Sequence, residues 1–242
     1  MTFDASAPGT SRSEWLGSDR LAALPEASLA AFTSLVVLAA HPDDETLGAG
    51  GTMARFAASG LDVLVVCVTD GGAGLEGEAR GQVAGERADE LRDALGSLGV
   101  RRPPALLGFA DGRVREDRTA IVESLAGLLG ECPADTLVLA PWIGDGHRDH
   151  RVLGEIGLEV ADALGLALWQ YPVWLWHWGS PAHPDVPWEQ LVAVPLDADD
   201  RSRAQDARAR FVSQIAPADG SLPMLHPRFL ENFDRGADVF VA

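Results

Sequence analysis

One imidazole and three carboxylates stand within five residues at His41-Pro42-Asp43-Asp44-Glu45, directly after the apolar run 35–40. A second set, His147-Arg148-Asp149-His150, comes a few residues after another apolar run, 137–140. Imidazole nitrogens and carboxylate oxygens are zinc ligands, and a catalytic zinc takes three of them plus an open position for water. His41 and Asp44 can reach one point from a tight turn stiffened by Pro42, and His150 supplies the third ligand from the other run's loop. An ion held there brings the pKa of its water toward ~7. Asp43 adjoins the ligands without being needed as one, so it is the candidate general base. His147, three residues before His150, can stabilise a developing oxyanion or protonate a leaving amine, with Asp149 or Asp145 expected to raise its pKa. Glu45 is expected to orient a ligand histidine from behind. Taken singly, His-Pro-Asp is often only a turn, and Asp at a helix start only a cap. Two such clusters, each behind a buried strand, favour the metal site. His177, His183 and His226 lack this context and read as surface or packing histidines.

The elements that must position these residues follow from periodicity. Runs 35–40, 61–68, 105–109 and 137–140 are short and continuously apolar, as strands buried on both faces are. Between them, helices are predicted over 46–59, 82–98 (apolar at 84, 88, 91, 95 and 98, closed by Gly99), 117–129 and 151–164. This alternation predicts an α/β fold: a Rossmann-like, mainly parallel sheet with helices on both faces and right-handed crossovers. The sites would then lie at strand C-terminal ends. Residues 1–20 read as a loose arm, 21–31 as a short helix and 71–81 as a loop or lid. Two further strands are predicted over 168–175 and 191–195, a helix over 198–211, and a Pro-rich loop from 215. The first of these strands would set Trp174, Trp176 and Trp178 on one face, as core, subunit contact or a stacking wall for a sugar. One domain, 1–242, is expected, with its core over about 35–215 and a short aromatic-rich C-terminal elaboration.

Composition narrows the partners. At 242 residues the chain can bury a sizeable core, and 47% of it is hydrophobic. The net charge is −17, from 36 acidic against 19 basic residues, and every basic residue is arginine. Nucleic-acid binding needs a basic footprint, so it is not expected; nor is attachment to an anionic membrane. No apolar run approaches the ~20 residues of a membrane helix, and no signal peptide is visible at the N-terminus. Cys67 and Cys132 then read as free thiols in a reducing cytoplasm. A homo-oligomer is left open.

The sequence resembles the PIG-L/LmbE-like family of zinc-dependent N-deacetylases. The family's A-H-P-D-D-E matches residues 40–45 without departure, and its H-P-D-H matches 147–150 with Arg148 in the proline position. Weaker matches are Val68-Thr69-Asp70-Gly71, Arg87 with Glu90 as R-x-x-E, the turn at 107–112, and Ser213-Gln214. The resemblance implies a Rossmann-like fold and one zinc per chain held by His41, Asp44 and His150. It implies Asp43 as base, His147 as electrostatic or acid partner, and Asp149 as the residue tuning His147. Arg87 and Asp111 are implied contacts to sugar hydroxyls or an anion, against the plain alternative of an Arg87–Glu90 pair along one helix. The implied substrate is a small-molecule N-acetyl amino-sugar conjugate of the N-acetylglucosaminyl type, deacetylated by metal-activated water. The alternatives are an amidase acting on a mycothiol-type thiol-sugar conjugate, a non-catalytic sugar-binding module, and a magnesium phosphoesterase, against which two histidine ligands argue.

Overall fold

The structure is a computed structural model that describes residues 7, 9–72, 75–217 and 223–242. Seven strands form one sheet: β1 (Ser34–Ala39), β2 (Asp62–Thr69), β3 (Ala105–Phe109), β4 (Thr136–Pro141), β5 (Ala167–Tyr171), β6 (Leu191–Pro195) and β7 (Ala237–Val241). Their order is β3-β2-β1-β4-β5-β7-β6. The first five pair in parallel, and β7 runs antiparallel to both of its neighbours. The helices are α1 (Arg12–Leu16), α2 (Asp19–Ala22), α3 (Asp44–Ala58), α4 (Gly77–Leu98), α5 (Arg118–Leu129), α6 (Arg148–Leu164), α7 (Leu175–Trp178), α8 (Ala198–Arg208), α9 (Val212–Ile215) and α10 (Pro227–Leu230).

Strand alternation splits the core in two. Leu35, Val37 and Ala39 of β1 face α3, α4 and α8, with Met53, Leu91, Leu95 and Ala204 packed against them. Val36, Leu38 and Ala40 face the other way, toward Ile121 and Leu125 of α5 and Val152 and Ile156 of α6. Every residue of β1 and β4 is buried, which is why these strands read as unbroken apolar runs. The α/β class with a mainly parallel sheet is thus as expected. Two glycines let helices close on the sheet: a Cβ at Gly48 of α3 would overlap the Tyr171 ring, and one at Gly154 of α6 would overlap the Pro141 carbonyl.

Several boundaries differ from expectation. Part of the N-terminal arm is built in: α1 buries Trp15, whose Nε1–H donates to the Trp176 carbonyl at 2.9 Å. Residues 1–6 and 8 of that arm lie outside the described residues. The helix expected over 21–31 ends at Ala22, and Pro25 and Ala27 instead bond to the backbone of Ala193 on β6. The loop expected to reach residue 81 stops where α4 begins at Gly77; residues 73 and 74 are not described. The tryptophan segment is no strand. β5 ends at Tyr171 and the chain turns into α7, so Trp174, Trp176 and Trp178 diverge instead of sharing a face. Trp176 goes to the core against Trp15, and Trp174 stacks on Phe229 at 4.7 Å. The tail holds α10 and β7, and β7 is an inner strand of the sheet. Among the described residues no helix is long and apolar enough to cross a membrane. Both cysteines are free thiols, Cys67 buried and Cys132 partly exposed.

Candidate active site

From β1 the chain builds outward to β2 and β3, then crosses to the other side of β1 for β4 and β5. The C-terminal ends of β1 and β4 therefore flank a topological switch point, where open α/β sheets hold ligands. His41 lies two residues past β1, and Asp44 opens α3. Past β4, His147 is the N-cap of α6, with its Nδ1 accepting the Asp149 N–H at 3.3 Å. The second cluster is therefore the first turn of a helix and not a loop, and His150 is a helical residue.

These turns bring both clusters together. One ligand atom from each of His41, His147 and His150 lies within 4.8 Å of the others. Asp44 sits between two of them, Oδ2 at 3.2 Å from His41 Nδ1 and Oδ1 at 3.1 Å from His150 Nε2. His41 N–H also donates to Asp44 Oδ2 at 2.8 Å, folding the carboxylate back over the turn. On its other side His41 Nε2 meets Asp111 Oδ1 at 3.0 Å and Asp149 Oδ2 at 3.6 Å. The donor set fits a metal ion. His150 Nε2 is buried without a hydrogen-bond partner, because Asp44 Oδ1 is near but out of line for one. A neutral imidazole nitrogen and a carboxylate oxygen aimed at one point are what zinc-type ions bind. This buried group of histidines and carboxylates can bind a metal.

Asp43 has φ 141° and ψ −32°, the one non-glycine residue with positive φ among those described. Such a conformation costs energy and persists where surrounding bonds over-determine it. Here the Asp43 N–H donates to Glu45 Oε2 at 3.2 Å, and its carbonyl accepts from Thr46 and Leu47 N–H, both at 3.0 Å. Its carboxylate makes no capping bond and lines the cleft. Glu45 thus braces the Asp43 backbone and not a ligand histidine, which departs from expectation. The histidine partner is Asp145, whose Oδ2 lies 2.7 Å from His150 Nδ1. The sequence expectation pairs Asp145 with His147; its spacing of five residues from His150 is the signal for the observed pairing.

Burial, then the charge of Asp44, holds the Asp43 carboxyl well above the usual range, against smaller opposing effects of Arg87 and His41. Burial pushes Glu45 up to about 7. Burial pulls His150 down, but Asp44 and Asp145 outweigh it and raise the group to about 9. His147 goes the other way from expectation. Burial and the neighbouring His150 and His41 lower it to about 3, against smaller opposing effects of Asp44 and Asp149. With Nδ1 accepting from Asp149 N–H, the neutral ring carries its proton on Nε2. Asp149 itself is anchored by Gly112 N–H at 2.8 Å and touches His41.

The cleft has a cavity of about 150 Å³. His41, Asp43, Asp44, Asp111 and His147 form its polar side, and Leu47, Val173, Trp174, Met224 and Leu225 the apolar side. Arg87 reaches it from α4, buried, its Nη2 donating to Gln214 Oε1 at 2.6 Å while Nε has no partner. The alternative Arg87–Glu90 pair is not what the structure shows. Glu90 instead accepts from Ser213 N–H and Oγ at 2.6 and 2.7 Å, so R-x-x-E on α4 grips Ser213-Gln214 on α9. Trp174 lines the cleft, as the stacking-wall alternative expects, whereas Gln214 and the rest of the apolar wall carry no such signal in the sequence, since the approach of Gln214, Met224 and Leu225 depends on the tail's path. His177, His183 and His226 stay outside this cluster: His177 is buried against the Ala7 carbonyl, and His226 caps α10.

Comparison with known proteins shows the family. The family described as PIG-L, GlcNAc-PI de-N-acetylase, matches residues 36–161. A Rhodococcus jostii protein named 1D-myo-inositol 2-acetamido-2-deoxy-alpha-D-glucopyranoside deacetylase is 36% identical over 164 residues, 57% of this chain and 56% of its own. The diacetylchitobiose deacetylase of Thermococcus kodakarensis is 36% identical over 129 residues, 52% of this chain and 48% of its own. The chain thus spans about half the length of these curated relatives. A conserved Thermus thermophilus protein of solved structure superposes with a TM-score of 0.58 at 26% identity, over 86% of this chain and 93% of that one. The N,N'-diacetylchitobiose deacetylase of Pyrococcus horikoshii shares the fold, with a TM-score of 0.58 at 22% identity over 86% and 82%. The matched span runs from β1 through most of α6 and contains both clusters, and on that ground the chain belongs to the PIG-L, GlcNAc-PI de-N-acetylase family.

Proposed function

We propose that the protein is a zinc-dependent hydrolase that removes the acetyl group from an N-acetylated amino sugar of the N-acetylglucosaminyl type. The observation that carries this reading is Asp44 lying between His41 and His150, at 3.2 and 3.1 Å, at the switch point, with the Asp43 carboxylate lining the adjoining cleft. His41, Asp44 and His150 would hold one zinc ion, which when bound acidifies a water and polarises an amide carbonyl. Asp43 takes the water's proton, a task its place on the cleft wall and its fixed backbone suit. His147, neutral with its proton on Nε2, donates a hydrogen bond to the oxygen on which charge develops. Asp149 holds His147 through its backbone N–H and braces His41. Arg87 and Asp111, which line the cleft, would contact sugar hydroxyls or an anion.

A thiol-sugar conjugate of the mycothiol type is the alternative substrate, and assaying N-acetyl-sugar against S-conjugate substrates separates the two. Retention of Asp43 and His147 argues against a pure sugar-binding module. The free cysteines fit the cytoplasm as its location. The test is acetate release from a panel of N-acetylhexosamine conjugates by zinc-loaded protein, with Asp43→Ala as control. Zinc-dependent release by the wild type, abolished in a variant that keeps its zinc, supports the reading. No release from any member of the panel overturns it.

A further inference from the structure

Asp145 does two things at once. Its side chain is fully buried, and its four lone-pair positions meet four donors. Oδ1 accepts the N–H groups of Val173 at 2.8 Å and Leu175 at 3.0 Å. Oδ2 accepts the Trp174 N–H at 3.0 Å and lies 2.7 Å from His150 Nδ1. The Asp145 carbonyl accepts the Trp178 Nε1–H at 2.8 Å, closing a loop round the same segment. Val173 and Trp174 are cleft wall, and His150 Nδ1 shares Oδ2 with the Trp174 N–H. One carboxylate therefore ties the wall to the histidine whose Nε2 faces Asp44.

We propose that Asp145 is a positioning residue that fixes His150 for metal and the segment 173–175 for substrate, so that one side chain sets both affinities. A carboxylate on Nδ1 keeps the ring proton there and leaves Nε2 free to ligate, the usual outer-shell device of metal histidines. Three backbone N–H groups converging on the same anion fix the wall at the start of α7. An amide in its place cannot do both. Asparagine has one oxygen. Turned toward Val173 and Leu175, it puts its NH2 against His150 Nδ1, which drives the ring proton to Nε2 and blocks ligation. Turned toward His150, it puts donors against two N–H groups, and the wall loses its anchor.

This inference rests on the metal-site reading, so zinc affinity is measured without substrate, by chelator competition. KM and kcat are then taken at saturating zinc on the conjugate the wild type hydrolyses best. Folded Asp145→Asn, checked by circular dichroism, is expected to lose one function: zinc binding weakens by about 10–100-fold, or KM rises by a similar factor with zinc saturating. Asp145→Ala is expected to lose both; if it does not fold, Asp145→Asn carries the test alone. A purely structural role would lower the melting temperature of Asp145→Asn and leave both constants within twofold of wild type, which overturns the proposal. A wild type that binds no zinc would sink the underlying metal reading as well.

Discussion

Asp43→Gly should yield a protein that is more stable than wild type and nearly inactive. Asp43 holds φ 141°, a region costly for a residue with a Cβ. Relieving that strain is worth about 1–3 kcal/mol, and the added freedom of glycine in the unfolded chain takes back about 0.4–1 kcal/mol. No side-chain capping bond is lost, and the backbone bonds to Glu45, Thr46 and Leu47 remain available to glycine. The electrostatics add in the same direction. Burial and Asp44 raise the carboxyl well above its unfolded value, so at neutral pH its ionised form is disfavoured in the fold. The net gain is about 0.5–2 kcal/mol, or roughly 1–8 °C in melting temperature for a chain of this size. The assay is thermal unfolding of chelator-treated wild type and variant at neutral pH, with turnover measured on the zinc-loaded forms. Loss of the base should cost about 10²–10⁴-fold in kcat. A variant that melts lower than wild type, or that keeps more than about a tenth of its turnover, would refute the reasoning.

Gly48→Ala drives a Cβ into the Tyr171 ring, whose hydroxyl donates to the Leu38 carbonyl at 2.6 Å. Such overpacking costs about 1–3 kcal/mol, readable as a shifted denaturant midpoint at unchanged slope. In metal-free protein His150, raised from 6.5 to about 9, contributes stability that is present below pH 6.5 and lost as pH rises through about 9. The melting temperature should therefore fall across that window, and a flat profile would contradict the assigned Asp44 and Asp145 contacts. Glu90→Gln loosens the grip on Ser213 and so on Gln214 and Arg87. KM should rise severalfold with kcat little changed, whereas equal losses in kcat and kcat/KM would place Glu90 in the chemical step.

The site was legible in the sequence to the extent that it is local. The Asp44–Ala58 helix follows β1 so closely that His41, Asp43 and Asp44 could be placed from spacing alone, and the same holds for His147 and His150 after β4. Buried parallel strands announce themselves because both faces are apolar. What failed was long-range or conditional. Alternating tryptophans mimic a strand, yet Asp145 draws in the N–H groups of residues 173–175 and starts a helix there. β7 was hidden because its five residues follow a Pro- and Gly-rich stretch, and its pairing with β6 spans about forty residues of chain. The charge state of His147 was misjudged by counting acids near it in sequence; burial and two imidazoles in space decide it. Glu45 meets the Asp43 backbone and Asp145 meets His150 for the same reason, since a carboxylate's neighbour in sequence need not be its hydrogen-bond partner.

The central claim is that one cleft, built from two strand ends, binds zinc and hydrolyses an N-acetyl amino sugar with Asp43 as base. It is tested most directly by acetate release from N-acetylglucosaminyl conjugates, measured for zinc-loaded wild type, chelated wild type and zinc-loaded Asp43→Ala, with bound zinc quantified in each. The predicted result is release by the first alone, with about one zinc per chain retained in the third. Release that persists at the wild-type rate in zinc-loaded Asp43→Ala, or after complete removal of the metal, would contradict it.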